Sequence, residues 1–199
     1  MDKQVIISIS REYGSGGHVI AEKIAKDLGV SLYDRNILDE IAREKETSVE
    51  QLEHLDEKPR NPLLSRRVRG FSNSMEENLA EMQFEYLENK ADSGESFVVL
   101  GRCSETVLKD REGLVSIFIV GDREVKSARV MEKFSLSKEE ADVKIFRHDR
   151  LRRQYHNRYS DFKWGDARKY DICINSSRLG LERTAEILED YVIKKVENL

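Results

Sequence analysis

The chain has 199 residues, with 34 lysines and arginines against 38 aspartates and glutamates, so its formal net charge is −4 at pH 7. This length suits one domain that buries roughly 70% of the surface of the unfolded chain. No apolar run approaches the roughly 20 residues that cross a bilayer, and the acidic balance argues against a dedicated nucleic-acid-binding protein. We expect a cytoplasmic protein whose single domain covers residues 1–199.

The chain opens with the pattern of a strand, a glycine loop and a helix. Residues 4–10 form a short β-branched run, and residues 14–17 read Gly-Ser-Gly-Gly. Apolar side chains recur at helical spacing over residues 19–28, and Gly29 follows where a helix C-cap belongs. A second short strand is predicted at 31–33, and a helix follows from 36 to 43.

Residues 48–92 carry helix formers and little β-branching. A capping box beginning at Ser74 opens a helix with one apolar stripe, formed by Met75, Leu79, Met82 and Tyr86. The pattern predicts a helical insertion on the substrate side of the domain, over about residues 36–92. The stripe is interpreted as core packing or as the seam of a homodimer.

Apolar strands return after the insertion. They are predicted at 97–100, 115–120 and 172–174, with helices between them and a final amphipathic helix at the end. Ser137 begins a second capping box, which opens a helix leading into a basic stretch. Short apolar strands separated by helices indicate an α/β fold with a parallel sheet covered on both faces. Cys103 and Cys173 lie beside these strands and are predicted to be buried.

The glycine loop follows the first strand, at the edge of a parallel sheet where ligands bind. Because it opens a helix, its amides and the helix dipole favour an anion such as phosphate; the alternative is a tight turn packed on the sheet. In the phosphate-loop pattern G-x-x-x-x-G-K-[ST], Gly17 and His18 occupy the lysine and hydroxyl positions. Arg11 or another arginine would then supply the missing charge, and Ser15 is the nearest loop hydroxyl.

Residues 147–158 hold five arginines and no lysine. Arginine alone favours bidentate contacts with phosphate oxygens, and clustered arginines neutralise charge during phosphoryl transfer. Asp149 shares a helix face with Arg152, Arg153 and His156 and is placed to orient an arginine. A solvated helix face and an RNA-contacting strip are the alternatives.

Charged residues also follow two other strands. Asp34 and Arg35 come after the second strand, and Arg102 comes after the FVVL strand. At the carboxyl ends of buried strands these side chains are candidates to face a ligand, with a local salt bridge as the alternative. The four histidines lack metal-site spacing, so we predict no protein metal site.

Taken together, these segments resemble the cytidylate kinase-like family, relatives of the nucleoside monophosphate kinases. The resemblance covers most of the chain, in order. It rests on the opening ISISREYGSGGHVIAEKIAKDLG, then YDRNILDEIA, FVVLGRC, VSIFIVGDREVKSARV, the arginine segment, and YDICINSSRLGLERTAEIL. It implies a three-layer P-loop kinase-like fold with a five-stranded parallel sheet, a helical insertion and an arginine-rich lid over about residues 137–165.

The resemblance also implies ATP, with Mg²⁺ carried on the nucleotide phosphates, and a small phosphate-acceptor molecule. By position, the nucleotide phosphates would be held by Gly14, Ser15, Gly16, Gly17 and His18. The acceptor side would hold Asp34, Arg35 and Arg102. The candidate catalytic or lid arginines are Arg150, Arg152, Arg153 and Arg158, together with Arg11, which was proposed above.

Two departures leave the acceptor and the activity open. True cytidylate kinases carry the loop lysine, which Gly17 replaces here, and an aspartate where this chain has Cys103. Specificity for cytidine monophosphate therefore does not transfer. The first hypothesis is an ATP-dependent kinase; the second is a nucleotide-binding or regulatory module without catalysis; the third is an RNA-contacting protein.

Overall fold

The structure is a computed structural model, and it describes residues 3–34, 36–44, 67–68, 71–72 and 75–198. Arg35 and Ser74, both singled out from the sequence, lie outside them.

A five-stranded parallel sheet forms the centre of the molecule. Its strands are β1 (Ile6–Arg11), β2 (Ser31–Tyr33), β5 (Phe97–Leu100), β6 (Leu114–Val120) and β7 (Ile172–Asn175). Their order across the sheet is β2-β5-β1-β6-β7. In register, Ile6 of the central strand lies between Phe97 and Leu114 of its two neighbours. Two further strands among the described residues, β3 (Arg67–Val68) and β4 (Phe71–Ser72), pair antiparallel with each other. The sequence did not predict these two strands.

Helices follow most strands, as parallel pairing requires. They are α1 (Gly17–Leu28), α2 (Asn36–Glu44), α3 (Met75–Asp92), α4 (Ser104–Val107), α5 (Arg123–Phe134), α6 (Lys138–Tyr159) and α7 (Ser176–Glu197), with a short 3₁₀ helix at Ala167–Lys169. Gly29 ends α1 in the left-handed conformation, and Ser137 opens α6 with a complete capping box, both as predicted. Within α7, Gly180 interrupts the helix with φ 76°.

Two apolar clusters lie on opposite faces of the sheet. On one face Ile7 and Ile9 pack with Ile24 of α1 and Leu188 of α7. On the other face Ile6 packs with residues of α2 and α3, among them Leu38 and Leu87. The alternation of β1 side chains between the two clusters follows the two-residue period of a strand. The predicted three-layer α/β architecture is therefore confirmed.

The insertion between β2 and β5 packs through the predicted stripe of α3. Leu79 is buried, and Met82 and Tyr86 pack against the same apolar cluster, whereas Met75 is exposed. Part of the stripe therefore serves as core. None of the helices in the described ranges is apolar enough, over sufficient length, to span a membrane.

The two cysteines differ in exposure. Cys103 is buried as predicted, but Cys173 is exposed, and the prediction for it was wrong. The reason is its place on β7, which lies at the edge of the sheet. Its neighbours Ile172 and Ile174 pack against the α1–α7 cluster, so Cys173 points to the opposite face.

Candidate functional site

The glycine loop connects β1 to α1 at the carboxyl edge of the sheet. Gly14 and Gly16 have φ values of 80° and 82°, which residues other than glycine rarely adopt. At Gly16 a Cβ atom would also lie 2.3 Å from Cδ2 of Leu181 on α7. The first amides of α1 have no intrahelical acceptor, so the loop and helix start together present the donors of an anion site.

Hydrogen bonds to carbonyl groups of the glycine loop stabilise its conformation. Nη1 of Arg129, on α5, donates to the carbonyl of Ser15 at 2.9 Å and to that of Gly14 at 3.3 Å. Within the loop, the Ser15 hydroxyl donates to the carbonyl of Glu12 at 2.8 Å. The predicted hydroxyl near the phosphate is thus used to stabilise the turn. The contact with Arg129 was not predicted, because no local pattern marks a residue on the helix after β6.

Charges surround the outer side of the loop. The carboxylate of Glu12 accepts hydrogen bonds from Lys126 Nζ at 2.8 Å and from the amide of Gly121 at 3.2 Å. Lys126 Nζ also lies 3.7 Å from the carboxylate of Asp149 on α6, which accepts from the amide of Tyr13 at 2.6 Å. Burial raises the pKa of Asp149 above its usual value. The loop therefore already donates a main-chain hydrogen bond to a carboxyl oxygen, and α6 is joined to it.

The Arg11 side chain occupies the space next to Gly17, which stands at the lysine position of the phosphate-loop pattern. A Cβ atom on Gly17 would lie 2.8 Å from Cβ and 2.9 Å from Cγ of Arg11. The Arg11 side chain thus passes over the start of α1, where a loop lysine would begin. The carbonyl of Arg11 accepts a hydrogen bond from Nη1 of Arg152 at 3.2 Å. The guanidinium group of Arg152 therefore contacts the backbone of Arg11 at the end of β1, just before the glycine loop.

A small open pocket lies next to this loop, at the carboxyl ends of β1 and β5. Its lining includes three arginines, two aromatic residues and a histidine: Arg11, Arg102, Arg152, Tyr155, Trp164 and His156. The three arginines come from three separate segments of the chain. Converging guanidinium groups favour a polyanionic ligand because each binds anionic oxygens with paired donors.

Arg102 follows β5 in an uncommon backbone conformation. Its φ is 63° and that of Cys103 is 52°, both in the left-handed region. Arg102 is also only 2% exposed, which is rare for an arginine. One of its Nη atoms lies 3.5 Å from the carbonyl of Asp34. Backbone strain of this kind is concentrated at ligand sites.

His18 and Asp34 lie at the same edge of the sheet. The two ring nitrogens of His18 lie 3.1 Å from a carboxyl oxygen of Asp34 and 3.3 Å from one of Glu22. The residue at the usual hydroxyl position is therefore paired with the predicted acceptor-side carboxylate. Arg35 lies outside the described residues. Among the described side chains, no group of three His, Cys, Asp or Glu is arranged to hold a metal ion.

The arginines of α6 diverge. Arg152 reaches the pocket, whereas the guanidinium carbon of Arg153 lies 5.5 Å from the ring centroid of Trp164, itself a pocket residue. Arg158 pairs with Glu77 of α3 at 2.7 Å, and Arg150 is exposed. Arg150 and Arg158 do not line the described pocket. Their predicted lid roles stay predictions, since helical spacing alone does not determine which arginines point to the sheet.

The fold and the site together define a class of protein. A five-stranded parallel sheet with a glycine loop opening its first helix is the architecture of the P-loop kinases, and solved structures agree. A shikimate kinase from Bacteroides thetaiotaomicron has a TM-score of 0.56 at 13% identity, covering 94% of this chain and 98% of that one. A gluconokinase from Sinorhizobium meliloti 1021 has a TM-score of 0.55 at 13% identity, covering 98% and 94%.

The family of the chain is a narrower class than the P-loop kinase architecture. The model of the cytidylate kinase-like family matches residues 6–178, so the chain belongs to that family, as its resemblance indicated. The crystal structure of an uncharacterized protein from Eubacterium ventriosum ATCC 27560 is 33% identical, with a TM-score of 0.76, covering 95% of this chain and 98% of that one. No curated protein sequence matches the chain.

Proposed function

We propose that the protein is an ATP-dependent phosphotransferase of the nucleoside monophosphate kinase type, acting on a small phosphate-bearing acceptor. The observation that carries this proposal is the convergence of Arg11, Arg102 and Arg152 on one pocket beside the glycine loop. Phosphoryl transfer depends mainly on positioning and on neutralising charge at the migrating group. Three guanidinium groups at the edge of a P-loop kinase sheet suit that task.

The loop residues suit a nucleotide phosphate. The bond from the amide of Tyr13 to the Asp149 carboxylate is a precedent for an anionic oxygen at this loop. In the proposal, Gly14 to His18 bind the phosphates of ATP, and Arg11 takes the place of the loop lysine. Mg²⁺ accompanies the nucleotide, since it keeps several waters and uses substrate phosphates as ligands. When bound, it would neutralise charge on the transferred phosphoryl group.

The acceptor side is assigned to the residues that follow β2 and β5. Arg102 would bind an anionic group of the acceptor, and Asp34, paired with His18, would accept a hydrogen bond from it. The same proposal includes a cytoplasmic location, a nucleotide and a small acceptor molecule as the ligands, and a homodimer. The dimer would use the exposed end of the α3 stripe at Met75.

A panel assay tests the activity. Purified protein is mixed with ATP, Mg²⁺ and each nucleoside monophosphate in turn, and ADP release is followed. We expect release with at least one acceptor, and a large decrease in the Arg152→Ala variant. Arg183→Ala is the matched control, because Arg183 is an exposed arginine on α7 that pairs with Glu186. ADP release that is flat across the panel would remove nucleoside monophosphate kinase activity.

A second candidate is a nucleotide-binding module without catalysis. Gly17 and His18 favour it, because a complete phosphate loop carries lysine and Ser or Thr at these positions. This candidate predicts that ATP raises the thermal unfolding temperature while no acceptor supports ADP release. Turnover that disappears in Arg152→Ala would contradict it.

A further inference from the structure

A buried contact between a carboxylate and an imidazole lies at the arginine pocket, whose lining includes His156. Oε1 of Glu105, on α4, lies 2.7 Å from Nε2 of His156, on α6. The two side chains are only 1% and 4% exposed. Because the carboxylate faces Nε2, that nitrogen carries the hydrogen of the contact, an assignment that follows from the partner. Neither residue was singled out as a site residue from the sequence.

The carboxylate is also joined to the central strand. Oε2 of Glu105 accepts hydrogen bonds from the hydroxyl of Ser8 at 3.2 Å and from that of Ser10 at 3.4 Å. Ser8 in turn shares a hydrogen bond of 2.6 Å with Ser104. Glu105 therefore connects β1 to α6. The same strand ends at Arg11 and is followed by the glycine loop. A chain of short polar contacts thus runs from the loop-bearing strand to the arginine helix.

His156 lies one helical turn after Arg152, on the same face of α6. Both side chains line the pocket, and Arg152 also donates to the carbonyl of Arg11. The Glu105–His156 contact therefore holds α6 against β1 beside the point where Arg152 enters the pocket. Side chains four residues apart on a helix are neighbours, so the contact that fixes His156 also fixes the helical turn that carries Arg152.

A stability role alone does not account for a pair in this place. Burying a carboxylate and an imidazole costs desolvation free energy that their contact often does not exceed, and apolar residues of similar volume are often equally stable in such places. Buried polar pairs do specify one arrangement of the elements that they join. We propose that Glu105 and His156 are positioning residues that hold Arg152 in the geometry for binding a polyanion. This inference rests on the proposed anion pocket and not on catalytic turnover.

The test compares polyanion affinity with stability. The probe is inorganic pyrophosphate, whose dissociation constant is measured by calorimetry, with urea unfolding measured in parallel. The double variant Glu105→Met/His156→Phe replaces both polar side chains by apolar ones, so that no carboxylate is left buried alone. We expect it to fold with stability near that of the unaltered chain and to bind pyrophosphate about tenfold more weakly. His156→Gln keeps an N–H donor toward Glu105 and should lose less than threefold.

The Arg152→Ala background separates positioning from a general structural effect. If the pair acts through Arg152, then adding Glu105→Met/His156→Phe to Arg152→Ala causes no further loss of affinity. The same tenfold loss in both backgrounds, or an unchanged affinity in the double variant, would overturn the inference. A double variant that does not fold would also overturn it, because stability was expected to persist. Absence of pyrophosphate binding by the unaltered chain would remove the pocket and this inference together, whereas ADP release tests catalysis separately.

Discussion

The proposal that Arg11 replaces the loop lysine can be tested by exchanging two side chains. A Cβ atom at position 17 would lie 2.8 Å from Cβ of Arg11, well inside van der Waals contact, and Cβ cannot move without the backbone. A side chain at position 17 and Arg11 therefore exclude each other. Gly17→Lys alone should reduce the free energy of unfolding by about 1–3 kcal/mol, the range for an overpacked site.

Nucleotide affinity gives the magnitude for the arginine itself. A hydrogen bond to a charged group contributes about 1.5–3 kcal/mol, so Arg11→Ala should weaken ATP binding by roughly 10- to 150-fold. In the exchange variant Arg11→Gly/Gly17→Lys the clash is gone and the lysine begins at its usual position. We expect this variant to recover most of the affinity that Arg11→Gly alone loses. Titration calorimetry with a non-hydrolysable ATP analogue and Mg²⁺ measures the affinities of four variants: Gly17→Lys, Arg11→Ala, Arg11→Gly and Arg11→Gly/Gly17→Lys.

Two results would refute the reasoning. An unchanged affinity in Arg11→Ala would assign the charge to another cation of the site, such as Arg152. An exchange variant that binds no better than Arg11→Gly would mean that the place of the lysine is not the phosphate site. Arg183→Ala, on the exposed surface of α7, is the control for a nonspecific loss of positive charge.

Two further predictions concern the glycine loop and the loss of stability at acidic pH. Gly16→Ala should lower the free energy of unfolding by about 2–4 kcal/mol, because the left-handed backbone and the contact with Leu181 both oppose a side chain. Gly29→Ala is its matched control, since nothing lies within 4 Å of its Cβ position and only the backbone penalty of about 1–2 kcal/mol applies; equal losses in urea unfolding would contradict the steric argument. The nearby Ser127 hydroxyl, together with hydrogen bonds from Arg123 and Lys138, lowers the pKa of Asp142 to about 2 from its ordinary value of 3.8. The Asp142 carboxylate therefore stabilises the fold fully above about pH 4, and this stabilisation is lost as the pH falls from about 4 to 2. Asp142→Asn should flatten the fall in unfolding temperature over this range, and a parallel pH profile would show that the carboxylate has no such effect.

The charges around the loop affect how these experiments are interpreted. Glu12 and Asp149 both lie near Lys126, so this lysine already has two anionic partners. A phosphate that approached Lys126 would compete with them. Arg11 and Arg152 line the pocket instead, which is why the exchange experiment begins with Arg11.

Local patterns were sufficient for the strands of the main sheet, for the long helices and for the glycine loop. The apolar run at β6, the glycine that ends α1 and the capping box before α6 each depend on residues within a few positions of one another. Hydrophobic periodicity, backbone freedom and end-capping act over that distance. The amino-acid sequence by itself therefore determined a parallel α/β fold with a glycine loop at its first turn. The family resemblance, carried by motifs in order, was confirmed as well.

Only the tertiary structure decided which charged residues meet. Arg11 and Arg152 are 141 residues apart, and Glu105 and His156 are 51 apart. Their meeting depends on the strand order β2-β5-β1-β6-β7, which places β5, and the helix α4 that follows it, beside β1. Arg152 and His156 of α6 then reach Arg11 of β1 and Glu105 of α4. Exposure of Cys173 has the same origin, because an edge strand cannot be recognised from its own residues. Strand order arises from the burial of whole elements against one another, and no short stretch of the chain encodes it.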